Sequence, residues 1–135
     1  MVAQHGILPA LLPGLMIGLA GCAGAADKAD EGFAPVYEGA DILRLDDTLV
    51  SFNARMRGAQ GKDDVAAYVR CLAAGYAVAE EYGFARHVRT KIDEEGGVWR
   101  ADAVYTISPA LPRGLRTIDA EVTVADCAER GIPTV

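Results

Sequence analysis

The sequence has few of the side chains that most often act as catalytic bases or metal ligands. Its 135 residues include two histidines and three cysteines. The spacings of His87 from Cys71 and from Cys127 match no zinc-binding pattern. The sequence also lacks a glycine-rich phosphate loop and a nucleophile-elbow motif. It therefore predicts a protein that holds no metal or cofactor and is not an enzyme.

Basic residues are outnumbered by acidic ones. The chain has 13 Lys and Arg residues against 19 Asp and Glu residues, a net charge of −6. Binding to nucleic acid depends on basic side chains that neutralise phosphates, so nucleic acid is excluded as an expected partner. Acidic pairs such as Asp46-Asp47 lie at predicted turns or helix ends, where carboxylates cap backbone groups and face solvent. We therefore do not interpret them as catalytic carboxylate pairs.

The N-terminal stretch carries no charged side chain before Asp27. Within it, residues 7–20 form an apolar run that would reach about 21 Å as a helix, short of the ~30 Å hydrocarbon core of a bilayer. Pro9 and Pro13 would interrupt such a helix. A short apolar run at this position is typical of the core of a secretory signal peptide.

The run ends in Leu19-Ala20-Gly21-Cys22, which resembles the lipobox of bacterial lipoproteins. The resemblance implies that a signal peptidase recognises Leu19, Ala20 and Gly21, and that the Cys22 thiol receives a diacylglyceryl group. Two or three acyl chains would anchor the protein firmly to a membrane. By resemblance to enterobacterial lipoproteins, Ala23 after the cysteine favours the outer membrane. The alternatives are an uncleaved membrane anchor and a cysteine placed there by chance.

The resemblance divides the chain into three parts. These are a signal peptide at residues 1–21, a lipidated cysteine with a flexible tether at residues 22–35, and one periplasm-facing domain at residues 36–135. With Cys22 assigned to lipid, Cys71 and Cys127 remain as a pair in an oxidising compartment, which favours a disulfide between them. The alternative is two free thiols.

Hydrophobic periodicity predicts one helix in the domain. Residues 63–83 carry apolar side chains at helical spacing, with Asp63 placed to cap the start and Gly83 placed to end the helix. We expect Val65, Val69 and the other apolar residues of this face to pack on a sheet; the remaining members are Leu72, Tyr76 and Ala79.

Alternating apolar and polar residues predict the strands. They lie at residues 42–45, 49–57, 84–93, 98–107 and 117–126, with a hairpin turn at residues 94–97. The last strand would turn Ile118, Ala120, Val122 and Val124 inward. The predicted fold is an α+β domain, an antiparallel sheet of four to five strands covered on one face by a single amphipathic helix. This layout, with a cysteine on the helix, resembles that of small uncharacterised proteobacterial lipoproteins.

Two surface features give weak indications of binding. Strand parity places His87 on the polar face of its strand with Arg89 and Lys91. These three residues and Arg86 would form a basic stripe with Arg55 and Arg57 if the two strands pair; a solvated sheet face is the simpler interpretation. The loop at residues 108–115 presents Leu111 and Leu115 on a proline-stiffened segment, either as a partner contact or as an ordinary connection.

The sequence thus predicts a lipid-anchored envelope protein whose non-catalytic domain acts through protein or surface contacts. Its expected partners are the membrane, through the lipid anchor, and an envelope protein. The alternative is a small-ligand binder with a pocket between helix and sheet near Tyr76, Trp99 and Tyr105. A third hypothesis is a thiol enzyme that uses Cys71 with His87 as its base.

Overall fold

The computed structural model describes residues 33–114 and 116–135. The elements are β1 (Val36–Arg44), β2 (Leu49–Arg57), α1 (Lys62–Ala79), β3 (Phe84–Glu95), β4 (Val98–Ser108), β5 (Thr117–Asp119) and α2 (Ala120–Glu129). The predicted signal peptide, the motif at residues 19–22, most of the tether and Leu115 lie outside the described residues. No helix in the described part has the length and hydropathy that a membrane span requires.

The five strands form one antiparallel sheet in the order β1-β2-β4-β3-β5. Helix α1 packs across β2, β3 and β4 on one face, and α2 packs against α1 and β5. The predicted α+β fold, an antiparallel sheet with one helix on its face, is confirmed. Because β4 lies between β2 and β3, the two strands of the predicted basic stripe do not pair.

The core lies between α1 and the sheet, and strand alternation determines which residues fill it. On β2 the residues predicted to face inward are buried, whereas Asn53 and Arg55 between them are exposed. Phe52 has no exposed surface and contacts the rings of Tyr76 and Tyr105 edge to face, with both centroid distances at 5.9 Å. The hairpin of β3 and β4 turns at Gly96 and Gly97, as predicted, and both glycines have positive φ.

The ends of α1 differ from the prediction. No side chain caps its N-terminus, so the role predicted for Asp63 is wrong. The neighbouring Asp64 accepts a hydrogen bond from the backbone N–H of Gln60 at 2.7 Å. The helix ends before Gly83 is reached, because Glu81 adopts a left-handed conformation with φ 64°.

The last predicted strand is mostly a helix. Only residues 117–119 pair with β3, and α2 starts at residue 120 because the Asp119 side chain accepts a hydrogen bond from the N–H of Val122 at 3.1 Å. The buried residues of α2 are Ala120, Thr123 and Cys127, which follow helical spacing. Val122, predicted to point inward, is 67% exposed.

Cys71 on α1 and Cys127 on α2 form a disulfide, with an S–S distance of 2.05 Å and Cα atoms 6.0 Å apart. Both side chains are buried, at 2% and 0% exposure. The sequence prediction of this bond is confirmed. The bond joins the helix that covers the sheet to the helix beside it, so it fixes the C-terminal segment against the core.

Candidate functional site

A cleft of about 600 Å³ lies between α1 and the edge of the sheet formed by β3 and β5. Ala66 and Ala67 of α1, the Tyr105 side chain of β4 and Ile118 of β5 make much of its surface apolar. Clefts of this size and character hold small molecules in other proteins. We call it the α1–β5 cleft.

Charged and hydrogen-bonding groups line the same cleft. Asp63 and Arg70 project from α1, and Arg116 precedes β5. His87 and Thr90 come from β3, and their Nε2 and Oγ1 atoms are 2.7 Å apart. The cleft therefore combines an apolar surface with two guanidinium groups and one carboxylate.

A β-bulge brings His87 into the cleft. The register between β3 and β4 shifts between His87 and Arg89, so that Val88 is the extra residue. Before the bulge His87 pairs with Tyr105, and after it Thr90 pairs with Ala103, and both partners are inward-facing residues. The prediction that His87 shares the polar face with Arg89 and Lys91 is therefore wrong, because strand parity changes at the bulge.

The surroundings of His87 keep its imidazole neutral near neutral pH. Its ring lies against the ring of Tyr105, with centroids 5.2 Å apart. Burial lowers the pKa of His87 below its ordinary value, and the positive charge of Arg116 lowers this pKa further, while a hydrogen bond with the backbone of Arg89 opposes both effects. Neutral imidazole can donate one hydrogen bond and accept another.

Tyr105 and Thr117 supply hydroxyl groups at the cleft. Burial raises the pKa of Tyr105 to about 12, against the opposing charge of Arg70, so the phenol stays protonated. The Thr117 Oγ1 atom is buried and has no hydrogen-bond partner within the part of the chain that the structure describes. An unsatisfied buried hydroxyl is unusual in a folded protein. A bound molecule with a polar end could supply the missing partner.

The structure places the three predicted pocket residues in different surroundings. Tyr105 lines the α1–β5 cleft. Tyr76 contacts the buried Phe52 ring edge to face and is not among the residues that line the cleft. Trp99 is six residues from Tyr105 along β4, a separation of about 20 Å. Among the three, only Tyr105 is at the cleft.

The sheet face opposite α1 carries alternating charges rather than a basic stripe. Asp102 of β4 lies beside Arg89 of β3, with an oxygen–nitrogen distance of 3.2 Å. Lys91 and Asp93 form a second pair at 3.8 Å. These pairs are the expected arrangement of a solvated sheet face. The Arg89–Asp102 pair forms because β4, and not β2, lies beside β3.

Cys71, the nucleophile of the predicted thiol chemistry, is not a free thiol. Cys71 is bonded to Cys127, and His87 instead contacts Tyr105. A nucleophilic role requires a thiolate, so the Cys71–His87 hypothesis does not apply to the disulfide form. Within the described ranges, no group of three or more His, Cys, Asp or Glu side chains is placed to hold a metal ion.

Arg70 and Arg116 line the cleft but are not among the site residues predicted from the sequence. One signal was available on α1, because Asp63, Ala66, Ala67 and Arg70 recur at helical spacing and so share a face. No sequence pattern places Arg116, since it lies in an irregular connection and has a positive φ of 66°.

Comparison with known proteins identifies the family. The family model of the YNQ4 C-terminal domain matches residues 37–131. The "Uncharacterized 26.9 kDa protein in nqo8 5'region" of Paracoccus denitrificans is 35% identical over 108 residues, which cover 80% of this chain and 42% of that protein. The chain thus spans less than half the length of this proteobacterial relative. No solved structure gives a significant match. The chain belongs to the YNQ4 C-terminal domain family.

Proposed function

We propose that this chain is a lipid-anchored protein of the bacterial cell envelope whose domain is not an enzyme and acts by binding. The observation that carries this proposal is the buried Cys71–Cys127 disulfide, because such bonds persist in oxidising compartments such as the periplasm. The motif at residues 19–22 supports the same location and supplies the lipidation site, Cys22.

The role that the geometry favours is the binding of a small ligand in the α1–β5 cleft. The cleft has the volume of a ligand site, and the buried Thr117 hydroxyl faces no partner in the described residues. Ligand binding was the alternative at the level of sequence, and we place it first because of this cleft.

Contact with an envelope protein is the second candidate role. Leu111 is 70% exposed on the loop between β4 and β5, and Leu43 is 61% exposed on the edge strand β1. Exposed apolar side chains at loops and sheet edges can serve as contact points for another protein. The two residues do not define one patch, so this role stands behind ligand binding.

Labelling with an alkyne analogue of palmitate tests the anchor. We expect the full-length protein to take up the label in the bacterium, and Cys22→Ser to abolish it because the serine hydroxyl cannot replace the thiol in this reaction. Ala25→Ser, which makes a similar change just outside the motif, is the control and should stay labelled. Absence of label from the unaltered protein, or persistence of label in Cys22→Ser, would contradict the anchor.

A further inference from the structure

We propose that the α1–β5 cleft binds a small organic monoanion with an apolar body, and that Arg70 and Arg116 hold its negative charge. This inference rests on the ligand-binding role proposed above and names the chemical class of the ligand. It concerns the cleft alone and does not depend on where in the cell the protein resides.

The local charge of the cleft is opposite to that of the whole protein. The chain has a net charge of −6, yet the cleft contains two arginines and one acidic residue, Asp63. Four arginines outside the cleft pair with acids, among them Arg57 with Glu38 and Arg89 with Asp102. In the described ranges, neither Arg70 nor Arg116 forms an ion pair. Guanidinium groups recognise carboxylates through paired hydrogen bonds, so these two arginines provide the features of an anion site.

The apolar part of the lining explains why the ligand should have an organic body. Ala66 and Ala67 on α1 face Ile118 on β5 across the cleft, and Tyr105 adds an aromatic ring. An inorganic anion would leave this surface in contact with water, whereas a ring or short aliphatic body would cover it. The volume of about 600 Å³ accommodates a molecule larger than acetate.

The neutral groups of the cleft favour a single negative charge. His87 is neutral near neutral pH because burial and Arg116 lower its pKa, and Tyr105 stays protonated. Asp63 offsets part of the positive charge of the two arginines. The buried Thr117 hydroxyl offers a further donor to an anionic oxygen. Arg70, Arg116 and Asp63 together give the cleft one net positive charge, which matches one carboxylate rather than a polyphosphate.

Three compounds of nearly the same shape test the charge requirement. We would titrate the purified full-length protein in phosphatidylcholine nanodiscs with benzoate, benzamide and benzamidine, and follow each ligand by NMR, with protein-free nanodiscs as the blank. Benzoate is an anion, benzamide is neutral and benzamidine is a cation. We expect benzoate to bind at least about tenfold more tightly than benzamide, and benzamidine not to bind, because charged hydrogen bonds to arginine add to the shared apolar contact. Acetate should bind more weakly than benzoate.

Substitution of the two cleft arginines tests whether benzoate binds in the α1–β5 cleft. Arg70→Gln and Arg116→Gln should each weaken benzoate binding by roughly tenfold while leaving benzamide binding nearly unchanged. Arg55→Gln removes the same charge from the exposed opposite face of the sheet and is the matched control. Because Arg116 has positive φ, Arg116→Gly removes the guanidinium without adding backbone strain, and it should weaken benzoate binding in a protein that remains folded.

The outcomes separate this inference from the proposed function. Equal affinity for benzoate and benzamide would overturn the anion proposal and leave ligand binding in place. Equal weakening by Arg55→Gln and by the two cleft variants would overturn the assignment of the charge to Arg70 and Arg116. Failure of all the compounds to bind would overturn both the anion proposal and the ligand-binding role, and would favour the protein-contact role.

Discussion

His87 packs against Tyr105 on the face of the sheet that α1 covers, with ring centroids 5.2 Å apart. The bulge at Val88 is what places the imidazole there. Bulges often redirect a side chain at a functional site, and here the redirected residue lines the α1–β5 cleft. This single extra residue changes His87 from a solvated surface group into a partly buried, neutral one.

The lowered pKa of His87 predicts that the protein loses stability in mild acid. In the unfolded chain His87 titrates near pH 6.5, whereas in the folded protein its pKa is lower. The unfolded state therefore binds more protons as the pH falls through this range, so the free energy of unfolding should fall between about pH 7 and pH 5. Chemical denaturation at a series of pH values measures this change in the free energy of unfolding.

His87→Gln is the control for this pH dependence. The variant removes the imidazole but keeps the other charged and titratable groups around it. These are Arg70 and Asp63 on α1, Tyr105 on β4 and Arg116 before β5. The Asp46 carboxyl, whose pKa is lowered by hydrogen bonds from the backbone N–H groups of Thr48 and Leu49, affects stability only below about pH 5, outside this range. The variant should thus show a flatter profile between pH 7 and pH 5. An unchanged slope would show that His87 is not the group responsible.

Alternation in the sequence predicted the sheet well, because most strand residues contribute one side chain to each face in turn. The inward residues of β2 are buried as expected, and so are those of β4 except Trp99, which is half-buried. Alternation assigns side chains to the wrong face beyond an extra residue in a strand, as at Val88 in β3. Nothing in the sequence around Val88 indicates a bulge there. The α1–β5 cleft depends on that bulge and on the irregular segment before β5, so its composition was beyond a sequence prediction.

The apolar residues around α2 fit both the two-residue period of a strand and the 3.6-residue period of a helix, and tertiary packing selects the helix. Apolar residues at every second position from Ile118 predicted a strand, but Ala120, Thr123 and Cys127 also lie on one helical face. The Asp119 cap and the disulfide at Cys127 both favour the helix.

Two adjacent substitutions in α2 test this assignment. Val122→Lys should change the free energy of unfolding by no more than about 0.5 kcal/mol, because the side chain is exposed. Thr123→Lys should cost more than about 2 kcal/mol, because it places a charge in a buried position. A strand would give the reverse order, and denaturant titration of the two proteins distinguishes the outcomes.

Loss of the disulfide should lower the stability of the domain by about 2–5 kcal/mol, because the bond closes a loop with a sequence separation of 56 residues. Thermal unfolding with and without a reductant measures the effect. In the double variant Cys71→Ala and Cys127→Ala, the reductant should have no effect. If the unaltered protein melts at the same temperature under both conditions, the bond does not contribute to its stability.

Gly75 allows the C-terminal segment to cross α1. A Cβ atom at this position would lie 2.7 Å from the Thr134 Cβ and 2.9 Å from the Val135 nitrogen. Gly75→Ala should therefore destabilise the protein by about 1–2 kcal/mol, although alanine favours helix.

Removal of Thr134 and Val135 provides the control for this contact. In a chain that ends at Pro133, Gly75→Ala should become neutral or stabilising by up to about 1 kcal/mol, since the crowding is gone and the helix preference remains. A penalty of the same size in both chains would mean that the tail does not cause it. Denaturation of the four proteins gives the coupling between the two changes.

The mass of the intact protein purified from bacterial membranes tests the account most directly, because it reports leader removal, lipid and the disulfide together. The account predicts a chain that begins at Cys22, carries acyl groups and has no free thiol until it is reduced. A mass that corresponds to all 135 residues without an acyl group would contradict the proposal of a lipid-anchored envelope protein.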